Sequence, residues 1–218
     1  MEIKGKIIAF LGDSITEGAG ASSYDKVYHQ LLKERCGLKE IYVDGIGGTR
    51  IARQQNPTTE CPIFDKDFSL RVDSWDTNPD IIVVFGGTND FGHGDAPFGC
   101  FGDTTKDTFY GACYELMEKL TSKYPSATVV FMTPLHRLNE ELSFVKDVPK
   151  NIPLCDYVYA IKEVSEYFSI PVLDLFATAG MQPNIEAQNQ MFFVDGLHPN
   201  DKGYARIADR LESFLKSL

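Results

Sequence analysis

Basic residues are scarce in this sequence. Its 21 lysines and arginines stand against 31 aspartates and glutamates, so the formal net charge is -10 at pH 7. The chain has no run of basic residues and no stripe in which basic and aromatic residues alternate. Nucleic acids and anionic membranes attract proteins through clustered positive charge. We therefore expect neither nucleic acid nor an anionic membrane surface to be a partner.

Long apolar segments are also missing. No apolar run approaches the roughly 18 residues that a membrane helix requires, so we expect no membrane insertion. The chain starts Met1-Glu2-Ile3-Lys4-Gly5 and enters a predicted strand within a few residues, which leaves no room for a cleavable signal sequence. These two features predict a cytoplasmic protein.

Cysteines are few, and they are scattered. There are five, an odd number, and no two form a CxxC pair: Cys36, Cys61, Cys100, Cys113 and Cys155. Paired or clustered cysteines are typical of disulfide frameworks and of zinc sites. We therefore expect reduced, inert thiols, with Cys113 packed as a small apolar side chain on the buried face of a helix.

The chain does contain a regular alternation of apolar strands and amphipathic helices. Strands are predicted at residues 6–11, 41–43, 81–85, 128–132 and 171–175, and helices at 24–36, 109–120, 157–168 and 204–215. This alternation predicts a single α/β domain spanning 1–218, with a parallel sheet between two helical layers. We expect the flavodoxin-like strand order 2-1-3-4-5. Residues 50–78 are interpreted as an irregular excursion with one short helix.

Polar and glycine-rich segments follow the first three strands. Asp13-Ser14 opens a turn after the first strand, the segment 44–49 is rich in glycine, and Thr88-Asn89-Asp90 follows the third strand. Ligands of open α/β sheets bind at the carboxyl ends of the strands. With the strand order 2-1-3-4-5, Ser14, Gly48 and Asn89 would converge there. Ser14 could be a nucleophile, or only a helix cap.

A second polar group precedes the last helix. A serine hydroxyl needs a base to take its proton, most often a histidine oriented by a carboxylate, and Asp195 and His198 have the spacing for this within one turn. The tetrahedral intermediate of acyl transfer also needs hydrogen-bond donors for its oxyanion. The backbone of Gly48 and the amide of Asn89 are suited to that role.

These residues resemble the motif blocks of the SGNH hydrolase superfamily, also called GDSL-type esterases or lipases. All four blocks are present in family order: Gly12-Asp13-Ser14, Gly45-Ile46-Gly47-Gly48, Gly87-Thr88-Asn89-Asp90 and Asp195-Gly196-Leu197-His198-Pro199. The resemblance implies that Ser14, Asp195 and His198 are catalytic. It also implies an oxyanion hole made by Ser14, Gly48 and Asn89, with Gly47 as the second choice for the glycine, and no cofactor or metal.

Several substrate classes are compatible with this resemblance. They include short acyl esters, acetylated carbohydrates, lysophospholipids and thioesters. The polar, aromatic loops 53–75 and 91–106 favour a small-molecule or carbohydrate ester, so we predict an esterase for short acyl groups, including acetyl groups on sugars. Within these loops we expect Phe64, Phe68 and Trp75 to be mainly core anchors that could border a pocket. His93 is a candidate contact, although a solvent-exposed loop histidine without a role is the favoured interpretation.

Other classes of protein are also considered. The segment 14–16 resembles a phosphate-cradling turn, which would make the chain a flavin-binding, flavodoxin-like module, but the charge of Glu17 would repel the phosphate. A catalytically inactive binding module conflicts with the intact Ser14, Asp195 and His198. A metallohydrolase built on Asp13, Asp195 and His198 would lack further ligands.

Overall fold

A five-stranded parallel sheet forms the centre of the protein in this computed structural model, which describes residues 1–56, 62–145 and 148–218. Its strands are β1 (Ile7–Gly12), β2 (Glu40–Gly45), β3 (Ile81–Phe85), β4 (Thr128–Met132) and β7 (Val172–Leu173), in the spatial order β2-β1-β3-β4-β7. A separate antiparallel pair is formed by β5 (Phe144–Val145) and β6 (Val148–Pro149). The predicted order 2-1-3-4-5 is confirmed for the five strands of the large sheet.

Helices cover both faces of this sheet. The long ones are α2 (Tyr28–Cys36), α5 (Phe109–Lys123), α6 (Leu154–Tyr167) and α9 (Asp201–Ser217). The short ones are α1 (Ser14–Glu17), α3 (Phe68–Asp73), α4 (Thr88–Gly92), α7 (Leu175–Thr178) and α8 (Glu186–Phe192). None of the helices in the described ranges is long and apolar enough to cross a membrane.

The sheet separates two hydrophobic cores, and strand β1 contributes to both. Ile8 and Phe10 pack with residues of α2 and α9, whereas Ala9 and Leu11 pack with residues of α5 and α6. Side chains alternate between the faces of a strand, so a continuous apolar run is the sequence expected of a strand covered on both sides. The predicted three-layer α/β/α architecture is confirmed.

The first predicted helix, at 24–36, differs from the observed structure. A short 3₁₀ helix covers Tyr24–Lys26, and α2 begins only at Tyr28. Between them Val27 has an extended backbone with a ψ of 143° and a fully buried side chain, whereas Tyr24 is 54% exposed. The chain changes direction at Val27 because this brings the valine side chain into the core.

The described part of the excursion between β2 and β3 contains the short helix that the sequence predicts. It is α3, which follows a 3₁₀ turn at Pro62–Asp65. Cys61 lies outside the described residues. The four described cysteines are free, and Cys113 is buried in α5 as expected.

The first three strands end at the same level. Gly12 of β1 is paired with Gly45 of β2 and with Phe85 of β3. The three segments that follow these strands are therefore brought to one edge of the sheet.

Candidate active site

Ser14 is the first residue of α1 and follows directly on the turn that ends β1. The N-cap of this helix is Asp13, whose Oδ1 accepts a hydrogen bond of 3.0 Å from the backbone N–H of Ile15. The interpretation of Ser14 as a helix cap is therefore wrong, because the capping position belongs to its neighbour. The hydroxyl of Ser14 is left for another partner.

That partner is His198. Ser14 Oγ lies 3.0 Å from His198 Nε2, and His198 Nδ1 lies 2.7 Å from Asp195 Oδ2. The second carboxylate oxygen, Asp195 Oδ1, accepts hydrogen bonds from the backbone N–H groups of Leu197 and His198 at 3.0 and 2.7 Å. The structure therefore brings the three predicted residues into one hydrogen-bonded chain, in the arrangement of a serine, a base and an orienting carboxylate.

The carboxylate of Asp195 is stabilised in its charged form. Partial burial raises its pKa, but the hydrogen bonds from the His198 ring and from the two backbone N–H groups outweigh this effect. The pKa of Asp195 is therefore lowered from its ordinary value. When the imidazole is neutral, the charged Asp195 keeps its proton on Nδ1, so Nε2 can accept a hydrogen bond from the hydroxyl of Ser14.

The glycine-rich turn after β2 lies against Ser14. A Cβ placed on Gly47 would be 3.6 Å from Ser14 Cβ, and Gly48 has a positive φ of 73°, a conformation that favours glycine. The N–H of Gly47 donates to Glu17 Oε2 at 3.0 Å. By contrast, the N–H groups of Gly48 and Ser14 have no hydrogen-bond partner among the described residues. Of the two glycines, Gly48 is thus the one whose N–H group has no partner in the described part of the chain.

Asn89 lies in α4 and is buried. Its Nδ2 donates one hydrogen bond of 3.0 Å to the carbonyl oxygen of Thr49, the residue after Gly48. An amide nitrogen carries two hydrogens, so a second donor remains. The contact links the third motif block to the second.

Two buried charged residues hold these loops together, and the sequence analysis did not identify either role. Asp90 accepts hydrogen bonds from the backbone N–H groups of Ile51 and Ala52 at 3.0 and 2.9 Å. Arg71 donates to the carbonyl oxygen of Gly12 at 3.0 Å and forms an ion pair of 2.7 Å with Asp44. Asp90 closes the third motif block, but its two acceptor contacts lie on a loop about 40 residues earlier in the chain. Arg71 belongs to no motif with a characteristic spacing, so no local sequence signal could have identified it.

Asp13 has an unusual pKa. The side chain is buried, which raises its pKa to about 6, although the hydrogen bond from Ile15 and the proximity of His198 act in the opposite direction. A buried carboxyl with a raised pKa is typical of functional sites, but it also occurs in structural networks. Among the described residues, no three His, Cys, Asp or Glu side chains are grouped as a metal ion would require.

The aromatic residues of the two loops have different positions. Phe68 and Trp75 are buried in the core. Phe64 is exposed, and its ring lies 3.6 Å from the position that a Cβ on Gly48 would occupy, so it borders the site. His93 lies at the surface as predicted, but its ring is partly buried and both ring nitrogens are hydrogen-bonded, to Asn89 and to Arg50. The sequence did not predict these two contacts.

Solved structures with the same fold support the architecture. A protein from Lactobacillus plantarum is 32% identical, with a TM-score of 0.84, and the match covers 99% of this chain and 98% of that one. A protein from Chitinophaga pinensis described as a possible lipase is 23% identical, with a TM-score of 0.70 and coverages of 97% and 98%.

A two-domain esterase active on acetylated mannans shares 21% identity and a TM-score of 0.61. The match covers 97% of this chain and 48% of the esterase, so at this identity it shows the fold alone. A search of curated proteins found no match. The model of the GDSL-like lipase/acylhydrolase family matches residues 10–206, which is most of the chain. The protein therefore belongs to the GDSL-like lipase/acylhydrolase family.

Proposed function

We propose that this protein is a serine esterase that hydrolyses short acyl esters through an acyl-enzyme. The observation that carries this proposal is the hydrogen-bonded chain from Ser14 through His198 to Asp195. Membership of the GDSL-like family is consistent with ester hydrolysis. A cytoplasmic location remains a prediction from the sequence.

In the proposed reaction, Ser14 Oγ attacks the ester carbonyl while His198 Nε2 takes the hydroxyl proton. Asp195 stabilises the imidazolium that forms. The bond to the leaving alcohol then breaks as His198 returns the proton to it. Water repeats the sequence on the acyl-enzyme, which releases the acid and restores Ser14.

The oxyanion of the tetrahedral intermediates would be bound by three donors. They are the backbone N–H groups of Ser14 and Gly48 and the second hydrogen of Asn89 Nδ2. The free state of the two N–H groups and the position of Asn89 beside Thr49 support this assignment. Gly47 is the weaker candidate because Glu17 already accepts its N–H.

A polar cavity lies beside the backbone of His198. A cavity of about 360 Å³ is lined mostly by polar side chains: Ser22, Gln190, Asn200, Asp201 and Lys202, with Gly20 and Met191. Gly20 is close to the base, since a Cβ on it would lie 3.3 Å from His198 Cβ. The cavity therefore adjoins the backbone of residues 198–199, and its lining, within the described part of the chain, includes none of Ser14, Asp195 and His198.

The first test compares the wild-type protein with Ser14→Ala on p-nitrophenyl acetate, butyrate and octanoate, following phenolate release. Ser122→Ala, an exposed serine on α5, is the matched control. We expect activity that decreases with chain length, vanishes in Ser14→Ala and is unchanged in Ser122→Ala. Full activity of Ser14→Ala would refute the proposed nucleophile.

The second test compares substrate classes. Acetylated manno-oligosaccharides are chosen because a structurally similar esterase acts on acetylated mannans. They are assayed for acetate release beside a short acyl thioester and a lysophospholipid. Faster acetate release from the sugars supports the carbohydrate assignment. A faster reaction with either competitor would overturn it in favour of a thioesterase or lysophospholipase, and a folded wild-type protein inactive on all of them would favour a non-catalytic module.

A further inference from the structure

Four side chains form a hydrogen-bonded line that ends at Asn89. Asp65 Oδ1 lies 2.9 Å from Arg50 Nη2, Arg50 Nη1 lies 3.0 Å from His93 Nδ1, and His93 Nε2 lies 3.1 Å from Asn89 Oδ1. Only Asn89 among them has a role in the proposed reaction. The line approaches Asn89 from the side of its oxygen, opposite to the nitrogen that would face the substrate.

The charge of Arg50 determines which nitrogen of His93 carries the proton. A guanidinium can only donate hydrogen bonds, so His93 Nδ1 must be the acceptor. The proton of the neutral imidazole therefore lies on Nε2, which donates to Asn89 Oδ1. Partial burial and the positive charges of Arg50, Arg137 and Lys150 lower the pKa of His93 to about 4, so the ring is neutral at pH 7.

This tautomer allows only one orientation of the Asn89 amide. Oδ1 faces the N–H of His93, while Nδ2 faces the carbonyl oxygen of Thr49. A rotation of the amide by 180° would place two donors together at His93 and two acceptors together at Thr49. Both contacts would then be lost inside a buried site, where unsatisfied polar groups are costly.

Arg50 also contacts the other part of the proposed oxyanion hole. Its Nη1 donates to the carbonyl oxygen of Gly48 at 3.2 Å. Arg50 is only 7% exposed, and its charge is balanced by Asp65. A single guanidinium thus contacts the Gly48 backbone directly and Asn89 through His93.

We propose that Arg50 and His93 are positioning residues of the oxyanion hole. Arg50 holds the Gly48 turn and fixes the tautomer of His93, and His93 keeps the amide N–H₂ of Asn89 facing the substrate. This inference rests on the proposed esterase function. Neither residue touches the reacting atoms, and both act through other groups.

The kinetic test uses His93→Leu and His93→Gln, each in the wild-type and in the Asn89→Ala background. Leucine removes both hydrogen bonds, so we expect kcat on p-nitrophenyl acetate to fall about 10- to 100-fold with little change in KM, less than the loss of a whole donor. Glutamine can donate to Asn89 from Nε2 and accept from Arg50 at Oε1, so it should restore most of the activity.

The double mutants separate positioning from a general structural role. If His93 acts through Asn89, the change to leucine will cause no further loss of kcat in the Asn89→Ala background. The same loss in both backgrounds, or a His93→Leu protein with wild-type kcat, would overturn the proposal. Thermal unfolding of each variant checks that the fold is retained.

A spectroscopic measurement tests the positioning independently of activity. Imidazole ¹⁵N spectra of the wild-type protein should show His93 neutral, with its proton on Nε2, throughout pH 6–8. Arg50→Met should remove the preference of His93 for the tautomer with its proton on Nε2. A proton on Nδ1 of His93 would contradict the proposed line of hydrogen bonds even if the enzyme is active. The expected tautomer in a protein without esterase activity would contradict only the proposed function.

Discussion

His198 Nε2 lies within 3.0 Å of Ser14 Oγ although 184 residues separate the two in the chain. The contact depends on the docking of the last helix onto the first motif. The hydroxyl of Tyr204, in α9, lies 3.0 and 2.7 Å from the carbonyl oxygens of Ile15 and Ala19. The two ends of the chain therefore hold the proposed nucleophile and base together.

Replacing Asp195 by asparagine tests the orientation of His198. The asparagine oxygen can still accept the backbone N–H groups of Leu197 and His198, so the local turn should persist. Its N–H₂ group, however, would face His198 Nδ1 and favour the proton on Nε2, which could then no longer accept from Ser14. We expect kcat to fall by about 10³- to 10⁴-fold with little change in Tm. A kcat within tenfold of wild type would contradict this role of the carboxylate.

Removing the Asn89 side chain tests the proposed oxyanion hole. The loss of one such donor typically lowers kcat by about 10²- to 10³-fold. The contacts with Thr49 and with His93 also disappear, which together should cost roughly 2 kcal/mol of stability. Asn89→Ala should therefore impair turnover far more than folding, as measured by kcat and by urea unfolding. A nearly normal kcat would exclude Asn89 from the oxyanion hole.

Two glycines should respond differently to alanine: Gly45, which ends β2, and Gly48, which lies in the turn that follows. A Cβ on Gly45 would lie 2.5 Å from the backbone nitrogen of Glu17, so Gly45→Ala must displace α1 and should destabilise the protein by roughly 2–3 kcal/mol or more. Among the described residues, a Cβ on Gly48 would meet only the Phe64 ring, at 3.6 Å, and the cost is the positive φ, about 1–2 kcal/mol. Urea unfolding of both variants measures the difference. Equal destabilisation would contradict this account of the turn.

Asp13→Asn should change how stability depends on pH. Burial raises the pKa of Asp13 from 3.8 to about 6, so between these values the folded state binds the proton more tightly than the unfolded state. The free energy of unfolding therefore decreases as pH rises through this window. Above it, the full destabilisation by the buried charge of Asp13 is present. Asparagine caps the helix equally well but carries no charge.

We expect Asp13→Asn to be more stable than wild type by roughly 2–3 kcal/mol at pH 8, with the difference shrinking toward pH 4.5. His29, whose pKa burial lowers to about 4, titrates in an overlapping range in both proteins. For this reason the measurement is the difference between the two proteins in urea unfolding at each pH. A difference that does not vary with pH would show that Asp13 is not the group responsible.

The fold followed from local patterns in the sequence. Continuous apolar runs such as residues 81–85 identified strands buried on both faces, and the alternation with helices identified a parallel sheet. The predicted ends of the helices were less accurate, because the burial of a single side chain, such as that of Val27, can move the start of a helix. Likewise, Asp13 took the capping position that the sequence left open for Ser14.

The sequence by itself determined which residues could do chemistry, because Ser14, Gly48, Asn89, Asp195 and His198 lie in short motifs tied to strand ends and to the last helix. Only the tertiary structure decided which groups support them. The hydrogen bonds of Arg50, His93 and Arg71 depend on which segments the fold brings close together. The sequence separation of the bonded residues follows no fixed rule, so these bonds cannot be predicted from local patterns. Whether a backbone N–H group is hydrogen-bonded was decided in the same way. Glu17 accepts the N–H of Gly47, whereas the N–H of Gly48 has no partner within the described ranges, because a hydrogen bond depends on position and direction.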